Sequence, residues 1–481
     1  MKLAKMSLVA ALALTANMYA IDNVKVNGDV KVFYGTMDAS YEGSKQDYLG
    51  NDVQTSDMFN KENSYADAAL HLGLTADLSE GVSAGMSMTA VSTLGLENNL
   101  VSNTWSNTHG VSNSNGASFV GQAAAPVSEN IQLDDEMWID EMWIAGTAFD
   151  TTVKLGRQAL DTPLAFTETW GIDTNTFEAA VLINQSIPDT TIVATYIGKS
   201  NGSADDQATA LSLGTVNGGV NVTGGTLNEL GRAQAGYVAQ GGKFNTFGKD
   251  GVYAAGVINN SFKPLTAQAW YYDMQGLAKA YWLQADIKCS LVKGVLIGVQ
   301  YANTDADSAS AVNAYLGLSG TPLVTSVNDT SMYSVMLGYE MKDVVTVKAA
   351  YSSVSDDGTL GMANTATGAY ATSGGQSKMY TEMWWNYGAV SAVGADSYSI
   401  TAEGTVGPEV DLLLGYYFAD IDPKGANNAE EVAEIAFTAT KSFGPLDATL
   451  ALIYDDYSYD VVSRGDTKDM TNLQVYLTYN F

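Results

Sequence analysis

Cysteine is almost missing from this chain: Cys289 is its one thiol, so no internal disulfide can staple the fold. Histidine is nearly as scarce, with only His71 and His109, which leaves little for catalysis by a nucleophile and an orienting base. Prolines number 8 in 481 residues. Beyond the first twenty positions there is no run of about 18 apolar residues, which excludes a helical membrane span. Cations are few as well, with 23 Lys and Arg against 53 Asp and Glu. That balance argues against a nucleic acid partner, because a phosphate backbone is bound by cations.

What is abundant points elsewhere. The chain holds 47 Gly, 27 Tyr and 8 Trp, a profile suited to many strands with aromatic girdles. Met1 to Ala20 reads as a secretory signal peptide: Lys2 and Lys5 give the charged start, Met6 to Ala16 the apolar run, and Ala20 the cleavage residue. Residues 21–481 then form a single domain with 21 basic and 53 acidic residues, a charge of −32.

From Val24 onward, segments of period-two alternation are separated by spacers that are short and long in turn. The closing stretch Thr471 to Phe481 shows the pattern most cleanly. Leu473, Val475, Leu477, Tyr479 and Phe481 share one parity, while Asn472, Gln474, Tyr476, Thr478 and Asn480 share the other. A strand of about 9 to 11 residues spans a bilayer when tilted. An apolar face toward lipid and a polar face toward a lumen is the logic of a transmembrane barrel. The aromatic ending, with Leu477, Tyr479 and Phe481 outward, resembles the assembly signal of outer-membrane proteins, so barrel-assembly machinery is an expected partner. Counting segments in this way predicts an all-β fold: an antiparallel transmembrane β-barrel of 18 strands, with short periplasmic turns and long extracellular loops. Alternation fails only near Leu133 to Ile144, where Met137, Trp138, Ile139, Met142, Trp143 and Ile144 occupy both faces. A bulge, a subunit contact or a wrong boundary would each produce that.

The most distinctive stretch runs from Lys154 to Glu178. Gly156-Arg157-Gln158, Asp161-Thr162-Pro163-Leu164 and Asn175-Thr176-Phe177-Glu178 resemble the strand, third loop and returning strand of the OprD-like porins and of the major outer-membrane porins of epsilon-class proteobacteria. The resemblance implies an outer-membrane channel whose third loop, here residues 161–176, folds inward to narrow the pore, and it implies a homotrimer. The pore-constriction candidates are Lys154, Arg157, Asp161, Glu168, Asp173 and Glu178, since opposed charges across a narrow lumen orient permeating ions. Strict alternation nevertheless puts Arg157 with Val153 and Leu155 on the lipid side, where charge is costly. The strand must then end before Arg157, or a bulge must turn it inward.

No cofactor is implied. Carboxylate clusters at Asp134-Asp135-Glu136, Asp305 with Asp307, Asp356-Asp357 and Asp455-Asp456 suit calcium in principle, but their spacing matches no EF-hand and a solvated acidic surface accounts for them better. Inward-parity acids such as Asp29, Asp77, Asp286, Glu340, Asp411 and Asp447 outnumber inward Lys25, Lys31, Lys288 and Lys348. The expected function is therefore a cation-selective channel for passive diffusion of small hydrophilic solutes and ions, in contact with outer-membrane lipid and lipopolysaccharide. A substrate-specific channel and a surface-exposed adhesin are the alternatives.

Overall fold

The computed structural model describes residues 22–46, 52–60, 63–92, 94–95, 136–169, 171–201, 244–246, 250–315, 325–365, 375–407, 409–424, 429–462 and 466–481. The signal stretch, His109, Arg232, Arg464, Asp134 and Asp135 lie outside them. Eighteen wall strands follow in order: β1 Asp22–Gln46, β2 Ser64–Ser79, β3 Val82–Ser92, β4 Glu136–Ala148, β5 Thr151–Gln158, β6 Phe177–Asn184, β7 Thr190–Ser200, β8 Val252–Asn259 and β9 Leu265–Met274. The second half comprises β10 Ala278–Lys288, β11 Val295–Ala306, β12 Thr330–Met341, β13 Val345–Val354, β14 Ala395–Val406, β15 Val410–Ile421, β16 Glu430–Phe443, β17 Leu446–Tyr459 and β18 Thr467–Asn480.

Each strand pairs antiparallel with its sequence neighbours, and β18 returns to β1 with Leu477 opposite Val32 and Tyr479 opposite Val30. The last residue completes the seam, where Gly28 and Phe481 exchange both backbone hydrogen bonds at 2.9 Å. Closure leaves no unpaired edge, which matters because lipid offers no hydrogen bonds to a bare strand.

Parity decides what each side chain meets. Leu283, Ile297, Val299, Leu337, Ile400 and Leu414 are exposed on the outer face, as an apolar wall in hydrocarbon requires. Toward the long-loop end the same face carries a row of tyrosines, Tyr196, Tyr253, Tyr271, Tyr281, Tyr301, Tyr333, Tyr351, Tyr398, Tyr416 and Tyr454, all exposed. Their rings are amphipathic and suit the membrane boundary.

The broken alternation near Leu133 to Ile144 is a β-bulge. Ser87 pairs with Glu141 and Met88 with Ile139, so Asp140 is the extra residue. Trp138 and Asp140 are buried inward, whereas Ile139 and Met142 are exposed outward, and parity shifts across the bulge. A subunit contact is therefore not needed to explain that stretch.

Among the described residues, two long loops fold into the barrel. The third, L3 (residues 159–176), was expected there. The seventh, L7 (described over residues 355–365 and 375–394), was read as one of the outward-facing loops and is not: Leu360, Met362, Met379, Met383 and Val390 are each at most 3% exposed. They pack with Leu164 of L3 and with Trp270, Tyr272 and Trp282 of the wall in one apolar cluster. Each such side chain contributes roughly 1.5 to 3 kcal/mol on burial, so the lumen is largely filled on the β8 to β11 side.

Candidate functional site

The interior is built from L3 outward. After β5, Thr162 donates its hydroxyl to the Ala165 carbonyl at 2.7 Å and tightens a turn that buries Leu164, Ala165 and Phe166. Asn364 of L7 then reaches across, donating to the Phe166 carbonyl at 2.8 Å and to Glu168 Oε1 at 2.9 Å, while the Glu168 amide donates to Asn175 Oδ1 at 2.7 Å. The two loops are thus joined through Glu168, which is 2% exposed.

The returning arm of L3 is fastened to the wall. Ile172 packs among Phe33, Met37, Ala69, Val91, Trp138 and Met470. Beside it, Asp173 Oδ1 lies 3.2 Å from His71 Nε2, and the other ring nitrogen lies 2.7 Å from Asp29 Oδ1. Thr89 on β3 contacts Asp173 at 3.2 Å and, more closely, Asp140 at the bulge. This polar chain ties β1, β2, β3 and β4 to one point of L3.

L7 is fastened differently. Glu434 of β16, fully buried, accepts hydrogen bonds from the backbone amides of Trp384, Trp385 and Asn386 at 2.6 to 3.2 Å. Asn386 also donates to Asp455 at 2.7 Å and accepts from the Tyr457 hydroxyl at 2.9 Å. Within L7, burial pushes the Glu382 carboxyl well above the usual carboxylate range, Glu168 adds to the shift, and the Ser377 hydroxyl and amide work against it.

Between the loops and the β17, β18 and β1 wall runs a cavity of about 550 Å³. Thr449, Gln474, Thr478 and Lys31 line it from the wall, Thr169 and Gly171 from L3, and Trp384, Trp385 and Tyr387 from L7. Lys31 is the charged side chain of this lining among the described residues.

The six residues predicted for the constriction do not share one place. Lys154 stands on the lumen wall with its ammonium 4.3 Å from the Trp143 ring centre. Asp161 is 85% exposed and pairs with Lys378 of L7 at 2.9 Å. Glu168 and Asp173 are buried as fasteners and do not line open space. Arg157 and Glu178 are not in the lumen. Arg157 sits opposite outward Met142 and directly beside Glu178, so parity holds and β5 neither stops nor turns it inward. Glu178 sits between Arg157 Nε at 3.0 Å and Lys199 Nζ at 3.3 Å, and the guanidinium stacks 4.1 Å from the centre of Phe244. A charge is tolerated there because it is paired and lies at the loop end of the strand, away from the hydrocarbon centre.

Other expectations resolve similarly. Asp455 is buried inward while Asp456 is outward and exposed, so that pair cannot chelate one ion. Among the described residues, no three of His, Cys, Asp or Glu converge as metal ligands. Cys289 falls just past β10, in a turn where the Val292 amide donates to its sulfur at 3.4 Å. Sequence reasoning missed Glu434, Trp384, Trp385 and Tyr387. Its one available signal was the Met and aromatic content of 379–387, unusual for a loop in water.

No protein-family model matches the sequence, and no curated protein matches it either. Solved structures do. OccK3 (OpdO) of Pseudomonas aeruginosa matches with a TM-score of 0.61 and 11% identity, over 98% of this chain and 99% of that one. OpdQ of the same organism matches with 0.61 and 13% identity, over 96% and 99%. OpdK with vanillate, also from Pseudomonas aeruginosa, gives 0.62 and 10%, over 96% and 99%. Identity this low carries the fold alone: a closed antiparallel barrel of 18 strands, the architecture of these Pseudomonas outer-membrane proteins. Within that class the chain has the OprD-like porin fold. The epsilon-class half of the sequence resemblance has no counterpart among these Pseudomonas structures.

Proposed function

We propose that the chain is an outer-membrane porin, a passive diffusion channel for small hydrophilic solutes and ions. The observation that carries this reading is the cavity between the wall and the two inward loops, polar along β17, β18 and β1 and enclosed by a barrel with an apolar outer face. Cation selectivity follows from the charge of −32 left after the signal stretch, since clefts of one sign concentrate counter-ions. Lys31, on the lining of that cavity, opposes it. Selectivity is therefore modest, and it weakens as salt rises because fields decay over about 10 Å at 0.1 M.

A substrate-specific channel is the second reading, favoured by the aromatic lining of Trp384, Trp385, Tyr387 and Tyr476 beside Lys31. Liposome swelling with a panel of neutral, cationic, anionic and aromatic solutes separates the two. Rates ordered by size alone support general diffusion, and a strong outlier supports specificity. Swelling by none of them, with assembled protein in the vesicles, would remove both.

A further inference from the structure

Each nitrogen of His71 faces a carboxylate, Asp29 at 2.7 Å and Asp173 at 3.2 Å. Ionised carboxylates only accept, and a neutral imidazole has one donor and one acceptor, so filling both contacts requires both ring nitrogens to carry protons. Asp29 belongs to the wall and Asp173 to L3. The Thr89 hydroxyl has a single proton to give, and its closer partner is Asp140. The other Asp173 oxygen, Oδ2, is buried without a partner, so His71 is the donor on which Asp173 depends.

We infer that His71 is a positioning residue for the constriction: as a doubly protonated ring between Asp29 and Asp173 it pins the returning arm of L3, and losing a proton releases that arm. The inference rests on the channel reading above. The other groups facing this point are Asp140 of β4, which is in electrostatic reach of His71 and Asp173, and Lys31, which is in reach of Asp29. When the ring becomes neutral, one donor remains for two carboxylates and no cation offsets them, so Asp173, at 1% exposure against 25% for Asp29, becomes a buried charge without a counter-ion, which is strongly disfavoured. Thr169 and Gly171, on the same arm, border the passage, so its release widens the cross-section.

The test is single-channel conductance in planar bilayers from about pH 5 to about pH 10, a range that brackets the ordinary histidine value of about 6.5. Wild-type protein should step to a higher conductance as pH rises. His71→Ala should show the higher level throughout, because no cation remains to hold Asp173. Asp173→Asn should stay at the lower level throughout, because an amide can donate to a neutral ring or accept from a charged one. Heat-modifiable migration confirms that each variant has assembled. Should His71→Ala fail to assemble, the wild-type profile against Asp173→Asn still decides. A wild-type conductance that is flat with pH, or a step that survives in Asp173→Asn, overturns the inference while leaving the channel reading intact. Assembled protein with no conductance at any pH overturns both.

Discussion

At the scale of single residues, the charge that matters to permeation is not the one the motif advertised. Arg157 belongs to the most distinctive stretch of sequence, yet its alternation with Val153 and Leu155 already placed it outward, and the structure keeps it there beside Glu178 and Lys199. Lys31 looked like one inward lysine among several, and among the described residues it is the charged side chain lining the cavity between the loops and the β17, β18 and β1 wall. Reversing it should therefore act on selectivity where Arg157 does not. Lys31→Glu is expected to raise the cation-to-anion permeability ratio, measured as a larger reversal potential under a KCl gradient. Arg157→Ala should leave that potential unchanged and lower the temperature of heat-modifiable unfolding, through loss of a partly exposed ion pair worth up to about 1 kcal/mol and a stacked ring contact of similar size. Equal shifts in reversal potential from both variants would put Arg157 back in the pore. Period-two parity was thus legible from sequence, but which inward lysine borders open space depends on how two loops fill the lumen.

Among elements, the strands were readable and the loops were not. The count of 18 wall strands and the closing strand, read over Thr471 to Phe481 and found over Thr467–Asn480, follow the alternation, because each strand records its two environments in its own sequence. L7 is different: its seat on Glu434 joins residues 48 to 50 positions apart, and no local pattern encodes such a pairing. That seat can be tested. Glu434→Ala strips the acceptor from the backbone amides of Trp384, Trp385 and Asn386 and from the Asn386 side chain, and a donor left unsatisfied away from water costs about 1 to 3 kcal/mol. L7 should lose its place, and single-channel conductance should rise with greater open-channel noise. Glu434→Gln, retaining one acceptor oxygen, should fall between. A conductance identical to wild type in the Ala variant would mean that L7 is held by its apolar packing alone. The closing strand makes a complementary prediction about the wall: Leu477→Asp or Tyr479→Asp puts a carboxylate on the face shared with Val32 and Val30. Insertion should fail, seen as loss of heat-modifiable migration, since an ionised group in hydrocarbon costs several kcal/mol. Normal assembly of either variant would mean that the assigned lipid face is wrong.

For the whole molecule, the distribution of aromatic residues around the barrel is uneven, and this bears on how copies assemble. The outer tyrosine row advances from Tyr196 on β7 through Tyr253, Tyr271, Tyr281, Tyr301, Tyr333, Tyr351, Tyr398 and Tyr416 to Tyr454 on β17. It then stops. From β18 through β6 the outward positions toward the loop end carry Leu473, Ala90, Ile139 and Leu155, while Ala66 and Ala68 share that parity but are buried within the chain. Tyr34, half-buried with its hydroxyl on Ser64, and Phe244, stacked on Arg157, are aromatic side chains on this arc. A boundary row of amphipathic rings is useful where wall meets lipid headgroups, and small or aliphatic side chains suit close approach of another wall. The homotrimer expected from family resemblance, no longer supported by the broken alternation of β4, is therefore proposed on this arc. Mild-detergent extracts treated with crosslinker should show dimer and trimer bands. Ala90→Trp and Leu155→Trp, which add bulk on the arc, should reduce those bands several-fold. Val335→Trp and Leu337→Trp, on the girdled side at β12, should leave them unchanged. If only monomers appear at every crosslinker dose, or if the β12 variants are the ones that break the bands, the arc faces lipid like the rest of the wall.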